Sequence, residues 1–304
     1  MITTLFSILF VYVFILLGYM AKRIFKEEMS TKTITLMSVY FFQPFVTIWG
    51  FSTAKLYHEH IYVPLIYLAI ILILLIPTIF IGRLLFTNPK ERAIFSIAGF
   101  VGNTGNIGIP LGIALFGEAS VIYTTLINIA NVFVVYIIGV YIYSRGSFSI
   151  KTSLLNIVKI PTIPASIVAI FINNYNIPIP SQINEFLKMG AYGGIVLQLF
   201  LLGTFLQGIR IKELHPKLFM STITQKFILI PFATAIILSF TNLPLFVQGI
   251  IFMEMMVPLA IANINLASLY DCKPKDITSL ILLSTVLFIP LLFVLSYIIN
   301  HYYV

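Results

Sequence analysis

Two stretches of this chain set polar side chains and helix breakers inside long apolar runs. The first, GFVGNTGNIGIPLGIALFG (99–117), combines Asn103, Thr104 and Asn106 with Pro110 and glycines at 99, 102, 105, 108, 112 and 117. Each glycine costs a helix about 1 kcal/mol relative to alanine. Pro110 also leaves the carbonyl of Asn106 without its usual donor. Such a helix is expected to unwind near its middle. Unwound backbone in a bilayer survives only where protein or a water-filled cavity satisfies it. The second stretch, MEMMVPLAIANINLASLY (253–270), carries Pro258, which frees the carbonyl of Glu254 in the same way. Glu254 is the one acid placed deep within an apolar run, and an ionisable group at that depth is a functional candidate. A carboxylate beside free carbonyls suits a hard cation, and the same group can carry a proton. Glu254 is therefore expected to couple to H⁺ or Na⁺, with sodium as the one metal in view.

Around these breaks, the binding set is expected to be Asn103, Thr104, Asn106, Pro110, Pro258 and Asn263, with Asn265 following the second break. Asn128 and Asn131, three apart and hence on one helix face, are expected to reach the breaks and join Glu254 in ion coupling. Gln43 beside Pro44, and Gln198 at the matching place in the second half, are weaker candidates. Each has a plainer reading as interhelical packing, with glycines as a small-residue stripe and amides as helix-to-helix bonds. The glycine stripe leaves the amides at the same depth unexplained. Lys226, well inside an apolar run, is expected to snorkel towards the cytoplasm.

The elements that must position these residues are membrane spans. Of 304 residues, 60% are hydrophobic and 9% charged, and mean hydropathy is +1.04. Apolar runs of spanning length are expected at about 3–22, 31–52, 62–86, 92–117, 121–143, 154–173, 184–208, 217–241, 245–270 and 276–300. Sixteen of the eighteen Lys and Arg residues fall in or near the odd-numbered loops, leaving Lys55 and Lys188 opposite. By the positive-inside rule those loops are cytoplasmic and both termini extracytoplasmic. The expected location is the inner or plasma membrane, as a multi-pass protein.

The chain is expected to form one membrane domain, 1–304, made of two repeats of about 1–150 and 151–304. Pro77 and Pro231 lie 154 residues apart, and Pro110 and Pro258 lie 148 apart, near the half-length. Five spans per half force the second half to lie inverted, an architecture of secondary transporters. The expected fold class is thus all-α and polytopic, with ten transmembrane helices and broken helices 4 and 9 crossing at mid-bilayer.

The net charge of +8 could suggest nucleic acid, but the basic residues sit in short loops between spans, which marks them as topology anchors. Cys272 is the single cysteine, so no internal disulfide forms. The first apolar run is followed, not preceded, by its positive charges, so it reads as a retained span. No HExxH, GxSxG, Walker A or Cys/His metal spacing occurs. The chain is expected to be no enzyme and to need no cofactor beyond a coupling ion.

The stretch GNTGNIGIPLGIALFG resembles the fourth-helix signature of the auxin efflux carrier family, with Asn103, Thr104, Gly108, Ile109, Pro110, Phe116 and Gly117 matching. MEMMVPLAIANINLASLYD resembles the family's ninth helix more loosely. The resemblance implies two inverted five-helix repeats, similar in plan to sodium/proton antiporters and bile-acid sodium symporters. It implies transport of organic anions such as auxin or dicarboxylates, bound at the crossover near Asn103, Asn106 and Pro258. The chain lacks the long central loop of many plant members. Its Glu254 resembles the acidic sodium ligand of bile-acid symporters more than anything in the plant carriers. Physically, half-helices starting at the break present positive dipole ends, and asparagine amides donate to carboxylates. Expected partners are a small organic anion, the lipid bilayer and a second copy of the chain.

Overall fold

In a bilayer the backbone must satisfy itself, and uniformly apolar segments do so as helices. The computed structural model describes residues 2–52, 55–144, 149–206 and 215–303. Arg145, Arg210 and Lys212 of the basic loops lie outside the described residues, as do Met1 and Val304. The helices are α1 (Ile2–Phe25), α2 (Thr31–Ser52), α3 (Tyr62–Leu85), α4a (Pro89–Ile97), α4b (Thr104–Phe116) and α5 (Glu118–Tyr143). They continue as α6a (Ile150–Val158), α6b (Thr162–Asn174), α7 (Ser181–Phe205), α8 (Pro216–Ser239), α9a (Leu245–Met256), α9b (Ala262–Leu269) and α10 (Pro274–Tyr302). Among the described residues six helices are long and apolar enough to cross a membrane: α2, α3, α5, α7, α8 and α10. Starts follow local chemistry. The Ser30 hydroxyl accepts from Thr33 N–H at 3.2 Å, and Asn88 accepts from Lys90 N–H at 2.9 Å ahead of Pro89.

The helices pack as two groups. α1, α2, α6b and α7 lean on one another, while α3, α4a, α4b, α5, α8, α9a, α9b and α10 surround the breaks. In the first group α1 and α7 touch backbone to backbone: a Cβ on Gly18 would strike the Phe200 carbonyl, and one on Gly203 the Ile15 carbonyl. A buried Gln198 amide donates to Gln43 and joins α7 to α2. These two side chains bind each other. Ile76, Phe80 and Leu84 of α3 and Ile228 and Phe232 of α8 face outward, as suits a surface against lipid.

The prolines act through a recurring device. A five-residue π turn covers Ser38–Phe42, Thr104–Gly108 and Gln225–Leu229. Each is closed by a bond five residues back, from Gln43, Ile109 and Ile230, and each of those residues precedes a proline. The widened turn moves the carbonyl that a proline ring would otherwise strike. Pro110 thus stands in the first turn of an intact helix. The interruption between α4a and α4b lies at 98–103, before Pro110 and on the glycines. This corrects the expectation that Pro110 marks the break. In the second half Pro258 stands inside the interruption, between α9a and α9b. The proposed repeat partners Pro77 and Pro231 also differ: Pro77 sits in uninterrupted helix and Pro231 follows a π turn.

Candidate functional site

The two interruptions face each other and bond as a short antiparallel pair. Asn103 N–H donates to the Pro258 carbonyl at 2.8 Å, and Ala260 N–H to the Val101 carbonyl at 2.9 Å, bridging Gly102 and Leu259. Side chains satisfy further freed groups. Asn131 Nδ2 donates to the Gly102 carbonyl at 2.8 Å, and Asn263 Nδ2 to the Val101 carbonyl at 3.1 Å. The Ser284 hydroxyl accepts from Leu259 N–H at 3.2 Å. Unpaired backbone in hydrocarbon costs several kcal/mol per group, so these contacts permit the breaks to exist. Gly102 eases the approach: a Cβ there would lie 3.1 Å from the Val257 side chain, which would have to shift.

Lys226 does not snorkel. It is 1% exposed, and its Nζ donates to the Gly99 carbonyl at 2.9 Å and the Met255 carbonyl at 3.0 Å. These carbonyls lie just past the end of α4a and at the end of α9a. Glu254 is fully buried, and neither carboxyl oxygen has a hydrogen-bond partner. Its carboxyl packs on Gly108, where any Cβ would collide with it. Among the described residues no salt bridge reaches Lys226 or Glu254. Nor does any group of three or more His, Cys, Asp or Glu side chains gather there to hold a metal.

A cavity of about 240 Å³ opens beside the breaks. Its walls are Gly102 to Asn106, Asn128, Asn131, Tyr136, Ala260 to Ala262 and Asn265, facing Thr35, Ser38, Gln43, Leu201 and Phe205 of the other helix group. Among the described residues no lining side chain is charged. Of the expected binding residues, Asn103, Thr104 and Asn106 line it. Asn103 Nδ2 is buried without a partner, and Thr104 donates to Asn128 Oδ1 at 3.0 Å. Pro110, Pro258 and Asn263 do not line it. Asn263 is fully buried and also accepts from Tyr143 at 3.1 Å. Asn128 and Asn131 bond to Thr104 and Gly102, not to Glu254, and Asn131 accepts from Tyr67 at 3.2 Å. The sequence reading missed Ser284, Tyr67 and Tyr143, whose types are ordinary in apolar helices.

The opposite end carries an ion pair and a cluster of rings. Lys188 pairs with Glu118 at 2.8 Å, Tyr192 donates to the same carboxylate at 2.9 Å, and Phe116, Phe246 and Tyr123 stack edge to face. A larger cavity of about 410 Å³ lies near this end between α2, α6b and α7. Its Asn173 and Asn184 are committed to the Phe51 carbonyl, Leu56 N–H and the Ser52 hydroxyl, and so they hold chain ends together.

The family described as "Membrane transport protein" matches twice, over residues 3–153 and 147–296. A relative described as an uncharacterized transporter from Methanocaldococcus jannaschii is 26% identical over 291 residues, covering 91% of this chain and 93% of its own.

Proposed function

This chain belongs to the auxin efflux carrier family of membrane transport proteins, and from that premise we propose that it is a secondary carrier of a small organic anion. The substrate class is a carboxylate or auxin-like acid, moved by alternating access through the paired breaks. The observation that carries this reading is the charge layout of the cavity. The first residues of α4b and α9b edge it, so two positive helix ends face its interior. Five asparagines line it, and one amide donor of Asn103 is unspent. Lys226 stands behind Gly102, 3.5 Å from where a Cβ would be, and adds positive potential without entering the cavity. An anion finds donors here and, among the described residues, no competing carboxylate.

Asn103, Thr104 and Asn106 hold the carboxylate in this reading, with Asn128 and Asn265 beside them. Pro258 and Asn263 shape the breaks and Pro110 the helix that follows the first one, instead of touching substrate. We read ten crossings, counting α4a with α4b, α6a with α6b and α9a with α9b, with the breaks crossing at mid-bilayer and the halves inverted. Both termini are extracytoplasmic on the basic-residue bias. The cavity then opens to the cytoplasm, because Thr35, Ser38, Tyr136 and Phe205 lie near helix ends that flank basic loops. A second reading, a sodium- or proton-coupled carrier of a different substrate on this fold, is favoured by Glu254, a buried acid with both oxygens unspent.

Purified protein in proteoliposomes tests the reading. Labelled mono- and dicarboxylates should cross faster than in empty vesicles and compete with one another. A panel in which no carboxylate crosses or competes, while a cation exchanges, overturns it in favour of the second reading.

A further inference from the structure

The charges at the breaks are arranged by helix polarity. The C-terminal ends of α4a and α9a converge on Lys226 through the Gly99 and Met255 carbonyls. Each such end carries roughly −0.5 elementary charge, so the two together present about −1. One ammonium neutralises that sum and spends two of its three donors on freed carbonyls. Carbonyls at the C-terminal ends of interrupted helices are otherwise the setting in which transporters hold a soluble monovalent cation. The π turn at Gln225–Leu229 places Lys226 here, since it begins one residue earlier and ends just before Pro231.

We propose that the Lys226 ammonium is the resident cation of the paired breaks. It fills the position that a sodium ion would take between the carbonyls of Gly99 and Met255, so this chain binds no soluble cation there. The inference deepens the transport reading, because it removes sodium from that position and leaves the Glu254 carboxyl free for other work. Its test needs no substrate. If carboxylate flux is absent while the salt pattern below holds, the transport reading falls and the tethered cation stands.

Detergent-solubilised protein is melted in sodium chloride and in choline chloride of equal ionic strength. Wild type should melt at the same temperature in both. Lys226→Ala should melt lower in choline and recover by roughly 2–4 °C or more in sodium, as a cation fills the vacated carbonyls. Adding Glu254→Gln to that variant should remove the recovery by taking away the nearby carboxyl, which can give up its proton in favour of a bound cation. A purely structural lysine gives no sodium-specific recovery. If Lys226→Ala does not accumulate, Lys226→Ser leaves the same space open and faces the same criterion. Two results overturn the proposal. One is a wild type stabilised by sodium over choline, with the gain lost in Glu254→Gln. The other is a lysine variant that melts alike in both salts.

Discussion

The first break is made of glycine and amide; the second is made of methionine, proline and one acid. At 98–103 the chain gives up helix where Gly99 lies against Gln225 and Gly102 against Val257 and Lys226, and its following residues open onto the cavity. At Val257–Ile261 the flanking residues Glu254, Met255 and Met256 are sealed, while Ala260 to Ala262 and Asn265 reach the cavity. The backbones pair symmetrically, through Asn103 to Pro258 and Ala260 to Val101. The side chains do not follow that symmetry. In the proposed reading a repeated scaffold carries two jobs: a polar, uncharged face for a ligand, and a sealed face for the ionisable groups.

Removing the acid from the sealed side should have the largest effect. Glu254→Gln is expected to abolish the dependence of flux on an imposed H⁺ gradient, with no dependence on a Na⁺ gradient in either protein, while substrate binding persists. Flux in proteoliposomes with and without each gradient measures this, and an unchanged gradient dependence would make the acid structural. On the polar side, Asn103→Ala and Asn106→Ala should weaken substrate binding without changing gradient dependence. Losing a buried polar partner costs about 1–3 kcal/mol, a roughly 5- to 150-fold weaker Kd. Normal binding in both variants would move the site towards Asn128 or Asn265. Smallest is Lys188→Ala, which touches neither break. The Lys188–Glu118 pair is partly exposed, so its loss should lower stability by at most about 1 kcal/mol and leave both binding and coupling unchanged. A gradient-dependence defect there would show that the two faces do not separate the jobs as described.

Much of this contrast could be read before the fold was seen. Asn103 and Asn106 announced a polar site because amides in a glycine-rich apolar run have no cheap packing explanation, and Glu254 announced itself by depth. Pro110 misled, because the local rule that proline breaks helix holds only if the turn before it stays α. The π turn at Thr104–Gly108 absorbs the proline and leaves the glycines to set the break. Lys226 misled for a related reason. Distance along the helix suggests an escape to water, but its target is a pair of carbonyls 127 and 29 residues away. Long-range backbone acceptors leave no pattern in sequence. Gln43 and Gln198 were visible as a matched pair but not as partners, since periodicity cannot tell an amide aimed at a cavity from one aimed at its counterpart.

The bond from Asn103 to Pro258 spans 155 residues of chain, and it bears on synthesis as well as on the finished protein. When a ribosome has delivered the first of the two matched repeats, the Val101 carbonyl and Asn103 N–H are already made, and the Pro258 and Ala260 that will meet them are not. The Lys226 that will cap Gly99 is also still to come. That half holds open polar backbone which lipid cannot accept. It must stay with water or with the insertion machinery until the ninth segment arrives. The two halves, so alike in plan, are therefore not two modules that could each have been inserted and left alone.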